Sequence, residues 1–213
     1  MKRGMTLKLL LLLLFTLTLA AADNNATADE REWSVRVGYG FSDQSDLGEI
    51  ISLMGDQHPA GTSAGGVELG YRFSQDTWGL PLDFYLKGGV NRFFENGHQP
   101  DFMEMTFYIK AYWNFRPWER TIRLGFGEGA SYAWGIPYVE KLEAQAEGDH
   151  NSRFLNYLDI SLDFDLGRMV GYRPLYDTYA GYALKHRSGI YGAINGVRRG
   201  GSNYNLWYVE HNF

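Results

Sequence analysis

Eight stretches of this chain alternate apolar and polar residues with a period of two, and the polar faces carry arginine, lysine, aspartate and glutamate. Trp33 to Phe41 sets Trp33, Val35, Val37, Tyr39 and Phe41 against Ser34, Arg36, Gly38 and Gly40. Val67, Leu69, Tyr71 and Phe73 oppose Glu68, Gly70 and Arg72; between Leu82 and Val90, Leu82, Phe84 and Leu86 oppose Asp83, Tyr85 and Lys87. Met105, Phe107, Ile109, Ala111 and Trp113 oppose Tyr108, Lys110 and Tyr112, and Ile122, Leu124 and Phe126 oppose Arg123, Gly125 and Gly127. Leu158, Ile160, Leu162, Phe164 and Leu166 face away from Asp159, Ser161, Asp163 and Asp165; Tyr182 and Leu184 face away from Gly181, Ala183 and Lys185; a last stretch runs from Tyr204 to Phe213. Period-two alternation is the signature of strands. A soluble sandwich would bury the apolar face. A small membrane barrel turns it outward to lipid and fills its lumen with the charges.

Two composition figures favour the barrel. Aromatic residues make up 16% of the chain, yet its mean hydropathy is −0.33. Hydropathy averaged along a transmembrane strand stays low because only alternate residues meet lipid. The expected fold is therefore all-β, an eight-stranded antiparallel transmembrane β-barrel over residues 32–213. Connections at Ser42–Gly66, Asn91–Glu104, Ile136–Arg153 and Gly189–Asn203 read as long, and those around Gln75–Thr77, Arg116–Trp118 and Gly171–Pro174 as tight. Trp33, Trp78, Trp113 and Trp118 collect at the tight-turn end, as an interfacial aromatic girdle does.

The N-terminus reads as an export signal. Lys2, Arg3 and Lys8 precede an apolar run from Leu9 to Leu19, and Ala20-Ala21-Ala22 offers a small-residue cleavage site. Residues 1–22 are thus expected to be a signal peptide and 23–31 a short periplasmic segment. The chain ends on Phe213 with Trp207 and Val209 at matching parity, which resembles the terminal strand of bacterial outer-membrane proteins; His211 departs from that pattern. With the three signal-peptide cations removed, 17 Lys and Arg face 25 Asp and Glu, a formal charge of −8, which argues against a nucleic-acid partner. There is no cysteine for a disulfide framework, a thiolate metal site or a lipid anchor.

Among candidate sites, Gly61-Thr62-Ser63-Ala64-Gly65 matches a nucleophile elbow in letters, but no helix is expected after it. Gly125, Gly127 and Gly129 read as room-makers in a narrow lumen rather than a dinucleotide loop. Asp159, Asp163 and Asp165 are expected to pair with Arg36, Arg72, Lys87, Lys110 and Arg123 inside the barrel, and neither metal nor cofactor is called for. More specific is Tyr182-Ala183-Leu184-Lys185-His186-Arg187-Ser188, where His186 and Ser188 share the lipid-facing side of the seventh strand. With both termini periplasmic they stand at the outer-leaflet end. A histidine base beside a serine hydroxyl is the minimum for ester cleavage by a covalent route. Lipopolysaccharide, through the acyl esters of its lipid A, is the ester-bearing lipid expected at that depth.

From Tyr182 to Tyr208 the chain resembles the lipid A 3-O-deacylase family, eight-stranded outer-membrane barrels with a His-x-Ser motif near the end of the seventh strand. His186-Arg187-Ser188, the loop Gly189 to Gly201 and Tyr204-Asn205-Leu206-Trp207-Tyr208 carry the resemblance. It implies Ser188 as nucleophile and His186 as general base; backbone N–H groups near Gly189 are then expected to hold the oxyanion. Where the family has Asn after the serine this chain has Gly189, and where it has Gly two residues later this chain has Tyr191. The family's glutamate falls at Ser202. Ser202 or Asn203 is the candidate third member, with Glu140, Glu143 and Asp149 as loop acids and Glu210 too far along its strand. The expected function is removal of an acyl chain from lipid A; the alternative is a catalytically silent barrel that is structural or presents its loops, with a narrow pore third. A homodimer stays open.

Overall fold

The computed structural model describes residues 32–45, 47–51, 55–117 and 121–213. The expected signal peptide and the 23–31 segment lie outside these residues, as does Trp118. Eight strands form one closed antiparallel barrel in which each pairs with its sequence neighbours and the last pairs with the first. They are β1 (Trp33–Asp43), β2 (Ser63–Ser74), β3 (Leu82–Phe94), β4 (Phe102–Phe115), β5 (Ile122–Ala133), β6 (Phe154–Asp165), β7 (Thr178–Ser188) and β8 (Ser202–Asn212). Helix α1 (Leu47–Ile51) lies between β1 and β2, α2 (Tyr138–Glu147) between β5 and β6, and α3 (Leu166–Val170) after β6. Each strand has 11 to 14 residues. Roughly 9–11 tilted residues suffice to cross a bilayer.

The wall is apolar outside and charged inside. Phe107 is 61% exposed and Phe126 53%, whereas Arg36, Lys87, Lys110, Arg123, Asp159, Asp163 and Glu210 are all 3% exposed or less. This inversion of a soluble protein's polarity is stable only with lipid against the outer wall. In the lumen, Arg36 donates to Asp159 at 2.8 Å and to Glu68 at 3.3 Å, and Lys110 also reaches Asp159. Arg123 holds Asp163 with two bonds of 2.8 and 2.9 Å. Tyr112 donates to Glu210 at 3.0 Å, and Lys87 pairs with the same carboxylate. A buried ion pair stabilises little against an apolar pair, but removing one partner strands a charge. Gly125 is small because Lys110 needs the space: a Cβ there would stand 2.4 Å from the lysine Cε. The interior is thus packed with side chains, as an eight-stranded lumen must be.

The clearest departures from expectation are the β3–β4 connection and the end of β6. The β3–β4 connection is a tight turn, because Asn91 pairs with Glu104 and Phe93 with Phe102, and the ladder runs on past the polar residues that blurred the alternation. Strand β6 begins at Phe154, directly after the expected connection, but stops at Asp165, whose carboxylate caps α3 by accepting from the Arg168 N–H at 2.8 Å. Leu166 therefore enters a helix. Asp165 pairs with Arg168 at 2.9 Å, and Lys87 pairs with Glu210 instead of an aspartate of β6.

Candidate functional site

Strand parity on β7 is pinned from inside. Lys185 pairs with Glu104, and Arg187 lies 3.4 Å from Glu140 and 3.7 Å from Glu104, all buried in the mouth of the barrel. A one-residue slip would send these cations into lipid, so His186 and Ser188 are held on the outer wall. Loop contacts reinforce the arrangement. Glu140, on α2, accepts from the Ser202 hydroxyl at 2.7 Å, so Ser202 faces inward and has no access to His186. Burial raises the Glu140 carboxyl above its ordinary range although Arg187 and Ser202 pull it down.

On the outer wall, His186 lies in register with Asn203 of β8. Its Nδ1 is 2.6 Å from the Asn203 Oδ1. The Asn203 Nδ2 donates to the Ser45 carbonyl at 2.8 Å. A carbonyl oxygen only accepts, so the Ser45 contact determines which end of the amide is nitrogen. The other end is oxygen, which in turn requires His186 to donate from Nδ1. A neutral His186 therefore carries its lone pair on Nε2, the atom a general base uses. Ser188 stands two residues further along the same face, about 6.8 Å away in backbone spacing. Among the described residues its hydroxyl has no hydrogen-bond partner, including His186.

The other expected participants are elsewhere. Asp149 accepts from the backbone N–H groups of Arg198 and Arg199 at 2.6 and 2.7 Å, tying the β7–β8 loop to the end of α2. Those amides and that of His150 pull its carboxyl down to about 2. Glu143 lies on α2, and Glu210 belongs to the lumen network. Gly189 is where the β7–β8 loop folds against the wall: a Cβ on it would stand 2.0 Å from the Val197 carbonyl oxygen. Ser63 opens β2 and accepts from Tyr39 at 2.8 Å, with a strand and no helix after it.

Two polar residues of the outer wall escaped the sequence reading. Asn156 of β6 is directly opposite Ser188, and Glu128 of β5 shares a cross-strand row with Leu158 and His186. Both interrupt otherwise apolar outward faces, a signal visible as breaks at Asn156 before Leu158 and at Glu128 after Phe126. Next to Asn156 the wall is indented by an apolar groove of about 700 Å³, lined by Val90, Met105, Phe107, Ala130, Tyr132 and Phe154 among others.

No family model and no curated protein sequence matches the chain. Among solved structures, the outer membrane enzyme PagL is similar with a TM-score of 0.59 at 12% identity, over 84% of this chain and 99% of that one. Neisserial surface protein A (NspA) aligns with a TM-score of 0.47 at 15% identity, over 85% of this chain and 97% of that one. The similarity to PagL is one of fold: this chain has the architecture of an outer-membrane barrel.

Proposed function

We propose that this protein resides in a bacterial outer membrane, exported by its signal peptide, and hydrolyses an ester-linked acyl chain of lipid A in the outer leaflet. The observation that carries the reading is the Ser45–Asn203–His186 chain of hydrogen bonds, which leaves the His186 Nε2 lone pair free on the face that bears Ser188. Asn203 orients the imidazole, as asparagine does in Cys-His-Asn proteases. It gives up the charge with which a carboxylate would stabilise the imidazolium.

In the first half-reaction the Ser188 Oγ bonds to the ester carbon while His186 Nε2 takes its proton. The carbonyl oxygen becomes an oxyanion, held by the backbone N–H at Gly189. Collapse breaks the bond to the sugar oxygen, which leaves as an alcohol with the proton from His186. Water then attacks the acyl-serine with the same base, releasing the fatty acid and restoring Ser188. The apolar groove beside Asn156 suits the acyl chain, and no cofactor enters the chemistry.

Lipid A from cells expressing the wild type is expected to lose one acyl chain by mass spectrometry, and Ser188→Ala is expected to abolish the change. An unaltered profile with correctly folded wild type would favour the catalytically silent barrel.

A further inference from the structure

The outward positions of β6 are Phe154, Asn156, Leu158, Ile160, Leu162 and Phe164, and Asn156 alone among them is polar. An amide in a lipid-facing wall is costly unless something meets its hydrogen-bonding groups. Asn156 is only 8% exposed, and its side chain has no hydrogen-bond partner among the described residues. A structural role would leave such a partner.

Its location points to what the amide is for. Asn156 and Ser188 are directly paired across β6 and β7, so both side chains leave the same face of the sheet. Directly opposed residues hold their Cβ atoms about 4.5–5.5 Å apart. An asparagine nitrogen, two bonds beyond its Cβ, then reaches an oxygen on the carbon bound to Ser188 Oγ. The ladder fixes this spacing before any substrate arrives, so the donor needs no reorganisation during the reaction. Gly189 follows Ser188 immediately, and the β7–β8 loop is packed so closely there that no Cβ fits. An ester held at Ser188 would meet the Gly189 backbone at the end of β7 and Asn156 on the neighbouring strand.

We propose that the Asn156 side-chain amide is a catalytic hydrogen-bond donor to the oxyanion formed when Ser188 attacks an acyl ester. This rests on the reading of Ser188 as nucleophile. No bond forms or breaks at Asn156; its Nδ2–H donates more strongly as charge moves from the ester π bond to the oxygen, and relaxes when the intermediate collapses. A donor of this kind raises kcat and leaves KM nearly unchanged, since its bond is strongest in the transition state.

The experiment uses the full mature chain folded in detergent, with lipid A in mixed micelles, and compares wild type, Ser188→Ala, Asn156→Asp and Asn156→Leu. Asn156→Asp keeps the shape without the donor, and Asn156→Leu suits a lipid-facing strand. Heat-modifiable migration on gels identifies folded barrel. The expected result is a fall in kcat of about 10²–10³-fold in both Asn156 variants, with little change in KM. Labelling of Ser188 by an alkyl fluorophosphonate, which builds a tetrahedral adduct, should slow in parallel. Folded Asn156 variants that keep wild-type kcat while Ser188→Ala is inactive would overturn the oxyanion role alone. Wild type no faster than Ser188→Ala would overturn the esterase reading and this inference with it.

Discussion

At the scale of residues, the question is how an imidazole is oriented without a carboxylate. Asn203 has two hydrogen-bond partners of opposite kind, the Ser45 carbonyl and His186 Nδ1, and that asymmetry selects one tautomer. Replacing Asn203 by leucine removes the selection and leaves the His186 ring free to rotate. We expect Asn203→Leu to lower kcat by about 10²–10⁴-fold, the range associated with a positioned general base, while KM changes little. Steady-state kinetics on lipid A micelles measures it, and an unchanged kcat would remove Asn203 from the mechanism. That His186 and Ser188 share one face of β7 was legible in the sequence because strand parity puts i and i+2 on the same side. The choice between Ser202 and Asn203 was not legible in that reading, which had no register for β7 against β8. Once the register is known, parity sends Ser202 inward to Glu140 and Asn203 outward to His186.

At the scale of elements, period-two alternation was enough to count strands but not to end them. Strand ends were misjudged where polar residues continue the ladder, as at Asn91 and Glu104, or where a strand residue turns into a helix cap, as at Asp165. Asn156 was missed because the alternation on β6 was counted only from Leu158, past the polar residue that interrupts its apolar face. The loops obey local chemistry instead. Asp149 accepts from two consecutive backbone amides of the β7–β8 loop and thereby fastens the segment that follows Ser188. Its carboxyl is depressed from its ordinary 3.8 to about 2, so the anchorage is complete above pH 4 and is lost as pH falls through about 2. The variant Asp149→Ala should therefore resemble wild type at very low pH. At neutral pH, we expect trypsin to cleave after Arg198 or Arg199 several-fold faster in Asp149→Ala than in wild type, by the usual link between local opening and proteolysis. Equal cleavage rates in the folded barrel would show that the anchor does not hold the loop.

At the scale of the whole molecule, the barrel separates two tasks. Its lumen is a closed electrostatic core in which Arg36, Lys87, Lys110 and Arg123 are matched by Glu68, Asp159, Asp163 and Glu210. Its outer wall is mostly apolar, with Glu128, Asn156, His186, Ser188 and Asn203 gathered near the outer ends of β5 to β8. The core sets stability: Arg123→Met leaves Asp163 and Glu210 short of a cation and is expected to cost about 3–5 kcal/mol, measurable by urea unfolding in detergent. A loss below about 1 kcal/mol would mean that water or neighbouring cations compensate. Pairing Arg123→Met with Asp163→Leu should recover part of the loss. Because the lumen is filled, the proposed ester cleavage would take place at the wall, the surface that lipid contacts. The decisive measurement is mass spectrometry of lipid A from cells producing wild type, Ser188→Ala or no protein, with equal amounts of folded barrel in the first two. The predicted result is a species lighter by one acyl chain in the wild-type sample alone; identical lipid A in all three would contradict the esterase.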